Sequence, residues 1–308
     1  MALYYEGLLK LAGKGPDGRY LLEPSIFSEY YATTFDAWGT NSTYDIVCMR
    51  NALQQAADAA DALAIDGELA QRWRKMHSEL PALPADDQDI WMIFPKHKKN
   101  VRVEAGSWCY PLFPGEIASA FHGSAVEQKQ ARATWAYARE NCKSPWCAGC
   151  PTVAAARMGD AEWAFRYASV PSRNGLGDHV GGIMQAEHGT GMALALNNML
   201  LLGVEDRLVL FAGIPVTVDA AFHSLRAPGA ILVSAEQRGG RVTHAVFQAL
   251  RGGPVRVLNP FGIGDGKAIR LRVSNMAGGA VVDRWKKSWR EVVEWTAEPG
   301  VVYRLEAE

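Results

Sequence analysis

Two carboxylates, far apart in the chain, stand where acid–base chemistry could be done. Glu29 lies beside Phe27, Tyr30 and Tyr31. An aromatic, apolar setting raises a carboxyl pKa and holds the proton that a general acid must donate. Glu187 is flanked by Gln185, His188, Gly181, Gly182 and Gly189, just ahead of an apolar helical stretch. Glycines let backbone come close to a ligand, and a helix N-terminus favours the ionised form. One carboxyl kept protonated and one kept charged make an acid–base pair. The plain alternatives are a surface Glu in a turn for Glu29 and a helix-start Glu for Glu187.

Flat rings and polar hooks accompany the pair. Trp38, Trp108 and Trp146 fall in loop-like stretches and are candidate platforms. Gln185, His188 and Asp178 are candidate hydrogen-bonding groups. Asp36 and Asn41 are candidate rim residues. Trp73, Trp135 and Trp163 sit on apolar helix faces and read as packing. Cys142, Cys147 and Cys150 have a spacing that could hold a soft metal, with Cys109 as a fourth thiolate. Small-residue packing at the start of an Ala-rich helix is the preferred reading, so neither metal nor cofactor is expected.

Helices must position these groups over the first two-thirds of the chain. Asn41, Ser42 and Thr43 offer N-caps, followed by Ile46, Met49, Leu53, Ala56, Ala60 and Leu63 at helical spacing. Residues 68–80, 128–140, 148–158 and 161–168 continue the pattern. Residues 190–202 form a strongly apolar helix that Gly203 would end as its C′ residue. The chain opens on a further helix with Leu3, Leu8, Leu9 and Leu11 read as one face. Past Asp206 the pattern becomes short strands at 207–211, 230–235, 241–250, 255–258, 269–273 and 301–305, broken by Gly-Gly, Pro-Gly and Asn-Pro pairs. Helix pairs of unequal length with long loops suit a toroid better than a solenoid. The fold class expected is therefore α+β and multidomain: a partial α/α toroid over residues 1–205 and a small antiparallel β-sandwich over 206–308.

Three segments, in this order, resemble landmarks of glycoside hydrolase family 95, the inverting α-L-fucosidases. Gly18 to Glu29 is similar to a strand and Pro-Ser-x-Ser-Pro-Glu loop of that family, with Pro24, Ser25 and Glu29 matching and Phe27 and Ser28 departing. Trp146, Ala156, Arg157 and Asp160 match a Trp-Ser-x-Ala-Trp…Ala-Arg-Leu-x-Asp helix. Gln185 and Gly191 match a Gln-Ile-Asp-Gly-Asn-Phe-Gly segment, with Glu187 in place of Asp. The resemblance implies a six-hairpin glycosidase that cleaves a terminal glycosidic bond of an oligosaccharide or glycan by inverting hydrolysis. Glu29 is then the acid, and Glu187 polarises the base or its water. In such enzymes the two carboxyls stand ~6.5–9.5 Å apart to admit water. The family's histidine-rich loop is replaced by residues 104–115. Its water-holding asparagine pair belongs to an N-terminal half of the toroid that would precede this chain. The alternative implication is a catalytically inactive carbohydrate-binding relative, or a truncated fragment.

The bulk numbers set bounds. The chain has 308 residues, 48% hydrophobic and 21% charged, with a net charge of −1. No nucleic-acid partner is expected at that balance; the basic run of Lys96 to Lys99 with Arg102 reads as a solvated loop. No stretch reaches the ~20 apolar residues of a membrane span. Residues 1–10 lack a signal peptide's basic start and apolar core. Family habit is export to the periplasm or outside the cell.

Overall fold

The computed structural model describes residues 1–26, 38–95, 107–141, 149–169, 178–180, 183–262 and 266–308. The chain divides into two compact units, 1–150 and 151–308. Among the described residues there are seven α-helices, then two sheets rich in antiparallel pairs, so the α+β class holds. A closed or partial toroid is not defined by these elements.

The first unit is helical. α1 (Ala2–Ala12) packs with α2 (Thr43–Leu63) and α3 (Gly67–Ser78) around Leu9, Ile46, Met49, Leu53, Ala57, Trp73 and Met76. Between α1 and α2 lie two short strands, β1 (Ser25–Ile26) and β2 (Trp38–Gly39). Later come a 3-10 turn at Ser107–Cys109 and α4 (Ala125–Asn141), which buries Ala131, Thr134, Trp135 and Ala138. The periodicity of α2 is realised as expected, down to Ala60; Leu63 is exposed because the helix ends at Ala64, which takes a left-handed conformation.

α1 turns inward only part of the leucine face the sequence suggests, Leu9 with Leu8 packed against the same core. Ala2, Glu6 and Leu9 are buried, whereas Leu3 and Leu11 face solvent. The reason is electrostatic. The Glu6 carboxylate, 4% exposed, accepts hydrogen bonds from Lys10 Nζ and from Trp73 Nε1 at 3.1 Å, and pairs with Arg72 Nε at 2.9 Å. Burying a carboxylate is costly unless its lone pairs are met, and this rotation of α1 meets them. The Lys10 hydrogen bond holds the Glu6 carboxyl below the ordinary carboxylate range, with Trp73 and Arg72 adding to it against the opposing cost of burial. A depressed folded-state pKa contributes stability above the unfolded value of ~4.3, and that stability is lost as pH falls through the folded value. Glu6→Gln is therefore expected to cost about 1–3 kcal/mol in urea denaturation at pH 7. The gap to the wild type should close on acidification below about pH 4; a gap independent of pH would assign the effect to shape instead.

The second unit carries α5 (Gly149–Arg157), whose first residues belong to the first unit, and α6 (Ala161–Ala168). Asp160 caps α6, its carboxylate accepting from the Trp163 amide at 3.2 Å. A short hairpin, β3 (Asp178–Val180) and β4 (Ile183–Gln185), runs straight into α7 (Ala186–Leu200). From Leu201 the chain is strands: β5 (Leu201–Val204), β6 (Arg207–Leu210), β7 (Ala220–Ala227), β8 (Ile231–Arg238), β9 (Arg241–Ala249), β10 (Gly253–Leu258), β11 (Ile269–Asn275), β12 (Val281–Lys287), β13 (Val292–Ala297) and β14 (Val302–Ala307).

They form a four-stranded sheet, β13-β10-β6-β5, and a six-stranded sheet, β12-β11-β14-β9-β8-β7. All pairings are antiparallel except β6 with β10, which run parallel through Leu208 and Val257. Alternation drives the stacking: Val233 and Ala235, Ala245 and Phe247, Leu271 and Val273, and Tyr303 and Leu305 point inward from the larger sheet. Val255, Val257, Val293 and Trp295 line the smaller one. Trp295 meets Phe247 edge to face at 5.2 Å, so the two sheets share one core.

Gly203 is not a helix terminus. α7 stops at Leu200, and Leu201 to Val204 pair with Leu210 to Arg207 as a hairpin. The last carbonyls of α7 are satisfied by that hairpin's return: Phe211 donates to Leu200 O at 2.8 Å and Gly213 to Met199 O at 3.1 Å. At Gly203 the approach to Pro228 is close, since a Cβ there would lie 3.1 Å from Pro228 Cγ.

Candidate functional site

Glu29 and Trp146 lie outside the described residues, as do Asp36, Cys142, Cys147 and the run Lys96 to Arg102. What the structure defines is the mouth from which the Glu29 segment leaves and to which it returns. Ser25 pairs with Gly39 and Ile26 with Trp38, so residues 27–37 are pinned at both ends by one antiparallel pair.

A ring of hydrogen bonds fixes that pair to the start of α2. Ser25 Oγ donates to Asp45 Oδ2, the Ser42 amide donates to Ser25 Oγ at 3.1 Å, and the Asp45 amide donates to Ser42 Oγ at 3.1 Å. Ser42 thus caps the helix while Asp45, in its first turn, both faces the helix dipole and holds the strand. Thr43 ties the same turn to the next segment, its amide donating to Ile93 O at 2.9 Å and its hydroxyl to Met92 O. Asn41 is a brace and not a rim hook. In left-handed conformation (φ 55°), its amide donates to Leu22 O at 2.9 Å and its Oδ1 accepts from the Leu22 amide at 2.8 Å. Gly39 completes the mouth, because a Cβ there would sit 2.5 Å from Phe94 Cδ1.

Trp38 stands at this mouth and is 51% exposed, as a stacking platform must be. Trp108 does not serve in that way. It is 5% exposed, and its ring meets Tyr137 of α4 edge-on at 4.9 Å. The 3-10 turn folds the indole inward, so Trp108 is a packing residue. Trp91 is buried too, its Nε1 donating to Gln130 Oε1 at 3.1 Å. Tyr110 packs edge-on against Tyr44 at 5.1 Å, beside Cys48. Burial pushes both the Tyr44 phenol and the Cys48 thiol up, so Cys48 stays a neutral thiol near pH 7.

The second unit gathers the other candidates along the backbone. Asp178 is the register partner of Gln185, and Gln185 is the last residue before α7. Glu187 and His188 are the second and third residues of that helix. Four candidates from the sequence therefore fall within one hairpin and one helix start, where the positive end of the helix dipole favours an anion.

Ser25 and Asp45 were not among the candidates. Their signal was Ser42 three residues before an acidic residue at a helix start. A second polar knot, Ser119 Oγ to His122 Nδ1 at 2.7 Å with His122 Nε2 to Glu116 O at 3.0 Å, is buried. The carbonyl must accept from Nε2–H, so Nδ1 accepts from the serine hydroxyl, and the pair serves to hold its loop. Among the described residues no three His, Cys, Asp or Glu side chains converge as metal ligands. None of the helices described is long and apolar enough to cross a membrane.

No family model matches the chain, and none of the curated proteins does. Among solved structures, a protein provisionally named kojibiose phosphorylase, from the human microbiome, is 13% identical with a TM-score of 0.40 over 86% of this chain and 41% of its own. A β-arabinofuranosidase of family GH127 is 7% identical with a TM-score of 0.31, over 100% of this chain and 67% of its own. A GH44 xyloglucanase from Paenibacillus polymyxa is 9% identical with a TM-score of 0.20, over 25% of this chain and 16% of its own. The chain thus spans a minor part of the xyloglucanase and under half of the phosphorylase-like protein. Likenesses this distant establish neither a fold nor an activity for it.

Proposed function

We propose that this chain is the C-terminal part of a carbohydrate-active hydrolase that cleaves a terminal glycosidic bond by inverting acid–base hydrolysis. Glu29 is the general acid in this reading. Glu187, at the start of α7, polarises the water or its base. Trp38 offers a sugar a flat face, and Asp178, Gln185, His188 and Trp146 supply further contacts.

The observation that supports it best is the clamped mouth at the α2 N-terminus. Four side chains, Ser25, Asn41, Ser42 and Asp45, are spent on holding the two ends of the Glu29 segment together. An exposed Trp38 sits at the exit. A segment that presents an acid gains from such anchorage, because misplacement by about 1 Å can cost about 10²-fold in rate.

The test is turnover on a panel of aryl glycosides, beginning with the α-L-fucoside, with the anomer of the released sugar read by NMR. Release of the inverted anomer is the expected result. A retained anomer would require the carboxyls ~5–5.5 Å apart and a covalent intermediate, and would overturn the mechanism. Sugar binding without any turnover would leave a carbohydrate-binding relative in place of the enzyme.

A further inference from the structure

The outer face of the larger sheet becomes strongly basic toward one edge, through a pattern that only strand register reveals. On β11, Arg270 and Arg272 alternate with the buried Leu271 and Val273, so both point outward. Register sets Lys286 of β12 opposite Arg270, and Arg284 opposite Arg272. On the other side of β11, Arg272 faces Glu306 and Ser274 faces Arg304. Five cations, Arg270, Arg272, Arg284, Lys286 and Arg304, thus share this face with two carboxylates, Glu306 and Glu308. The whole chain has a net charge of −1, so the excess is local.

Like charges directly opposite each other destabilise a sheet, and here two such pairs stand on one face, separated by the Leu271–Trp285 rung. Protection of an exposed edge accounts for Arg284 and Lys286, because β12 is the edge strand and charged side chains block unwanted pairing there. It does not account for Arg270 and Arg272, which lie on β11, a strand paired on both sides. The carboxylates neutralise only part of the charge. Glu306 accepts from Arg272 and from Arg304 Nε at 2.8 Å, and Glu308 pairs with Arg284 Nε at 2.9 Å. Neither Arg270 nor Lys286 forms a salt bridge among these contacts, though Arg270 lies beside Glu308 and adds to the attraction that holds its carboxyl low.

We infer that this face, centred on Arg270 and Lys286, is a docking surface for a carboxylated polysaccharide. The face already binds carboxylates, since three of its arginines hold Glu306 and Glu308, and guanidinium groups suit carboxylate geometry. Adjacent strands repeat the cations at ~4.8 Å across the sheet, a flat ladder suited to an extended chain with regularly spaced charges. Nucleic acid fits less well, because single-stranded bases need aromatic platforms and the face offers Ser274, Val246 and Gln248 beside its cations. Trp285 alternates to the opposite side, in register with the buried Leu271. The inference concerns binding alone and does not depend on hydrolysis by Glu29.

Retardation of the whole chain in native gels containing polygalacturonate tests it, with neutral galactan and a DNA duplex as parallel gels. Polygalacturonate should retard the chain at 20 mM NaCl and at least tenfold less at 300 mM NaCl, as screening requires. Galactan should not retard it. The double variant Arg270→Ser, Lys286→Ser should bind at least tenfold more weakly, while Arg270→Lys, Lys286→Arg should bind as the wild type does. No retardation by polygalacturonate, equal retardation by galactan, tighter binding to DNA, or an unchanged serine variant would each overturn the inference.

Discussion

Replacing Glu29 by Gln is expected to lower turnover on an aryl glycoside by about 10²–10⁴-fold, the range that general acid catalysis contributes, with little change in sugar affinity. Gln keeps the size and the hydrogen-bonding reach of Glu and loses only the proton to be donated. The discriminating readout is the leaving group. A glycoside whose leaving group is acidic enough to depart unprotonated should be hydrolysed by Glu29→Gln nearly as fast as by the wild type. A merely structural Glu29 would impair both substrates alike. The pH profile gives a second check: the wild type should lose activity as pH rises through the Glu29 pKa, and that limb should vanish in the variant. Unchanged turnover on the poor leaving group would remove Glu29 from the mechanism.

How much of this was legible in the sequence depends on whether a local pattern or a tertiary partner decided the outcome. The start of α2 was written locally: Ser42 caps, and Ile46, Met49 and Leu53 recur on the buried face. α1 was legible only in part, because nothing in its own leucines says that Glu6 turns inward beside Leu9. Its orientation was settled by Trp73 and Arg72, far away in the chain, which reward burial of Glu6. Strands β8, β9 and β10 alternate and were readable, whereas β12 is exposed along nearly its whole length and buries no side chain fully. Its partner in error, β5, reads as the tail of an apolar helix until Phe211 and Gly213 are seen to take the helix's last carbonyls. Trp108 was misread for a similar reason: a loop-like sequence gave no sign that Tyr137 would receive its ring. The candidates Asp178, Gln185, Glu187 and His188 lie within eleven residues of chain, so one hairpin register and the start of one helix hold them.

The largest stability effect is expected at Phe247. This side chain is fully buried on β9, between its register partners Val233 of β8 and Tyr303 of β14. It is also the residue of the larger sheet that meets Trp295 of the smaller one edge to face. Removing the ring withdraws area from both sheets at once and leaves a cavity that paired strands on either side cannot close. Phe247→Ala should therefore cost about 3–5 kcal/mol, a large share of the about 5–15 kcal/mol that holds a domain together. In urea, with Trp fluorescence as the probe, the transition should move to lower denaturant at unchanged slope. Phe247→Leu, which refills most of the space, should recover the greater part of the loss. The edge-to-face contact itself contributes about 0.5–1.5 kcal/mol beyond burial, so Leu should still fall short of Phe by about that amount. A loss below about 1 kcal/mol in the alanine variant would mean that the Phe247 ring is not what joins the sheets, leaving Tyr303, whose ring lies 6.1 Å from that of Trp295, as the aromatic link between them.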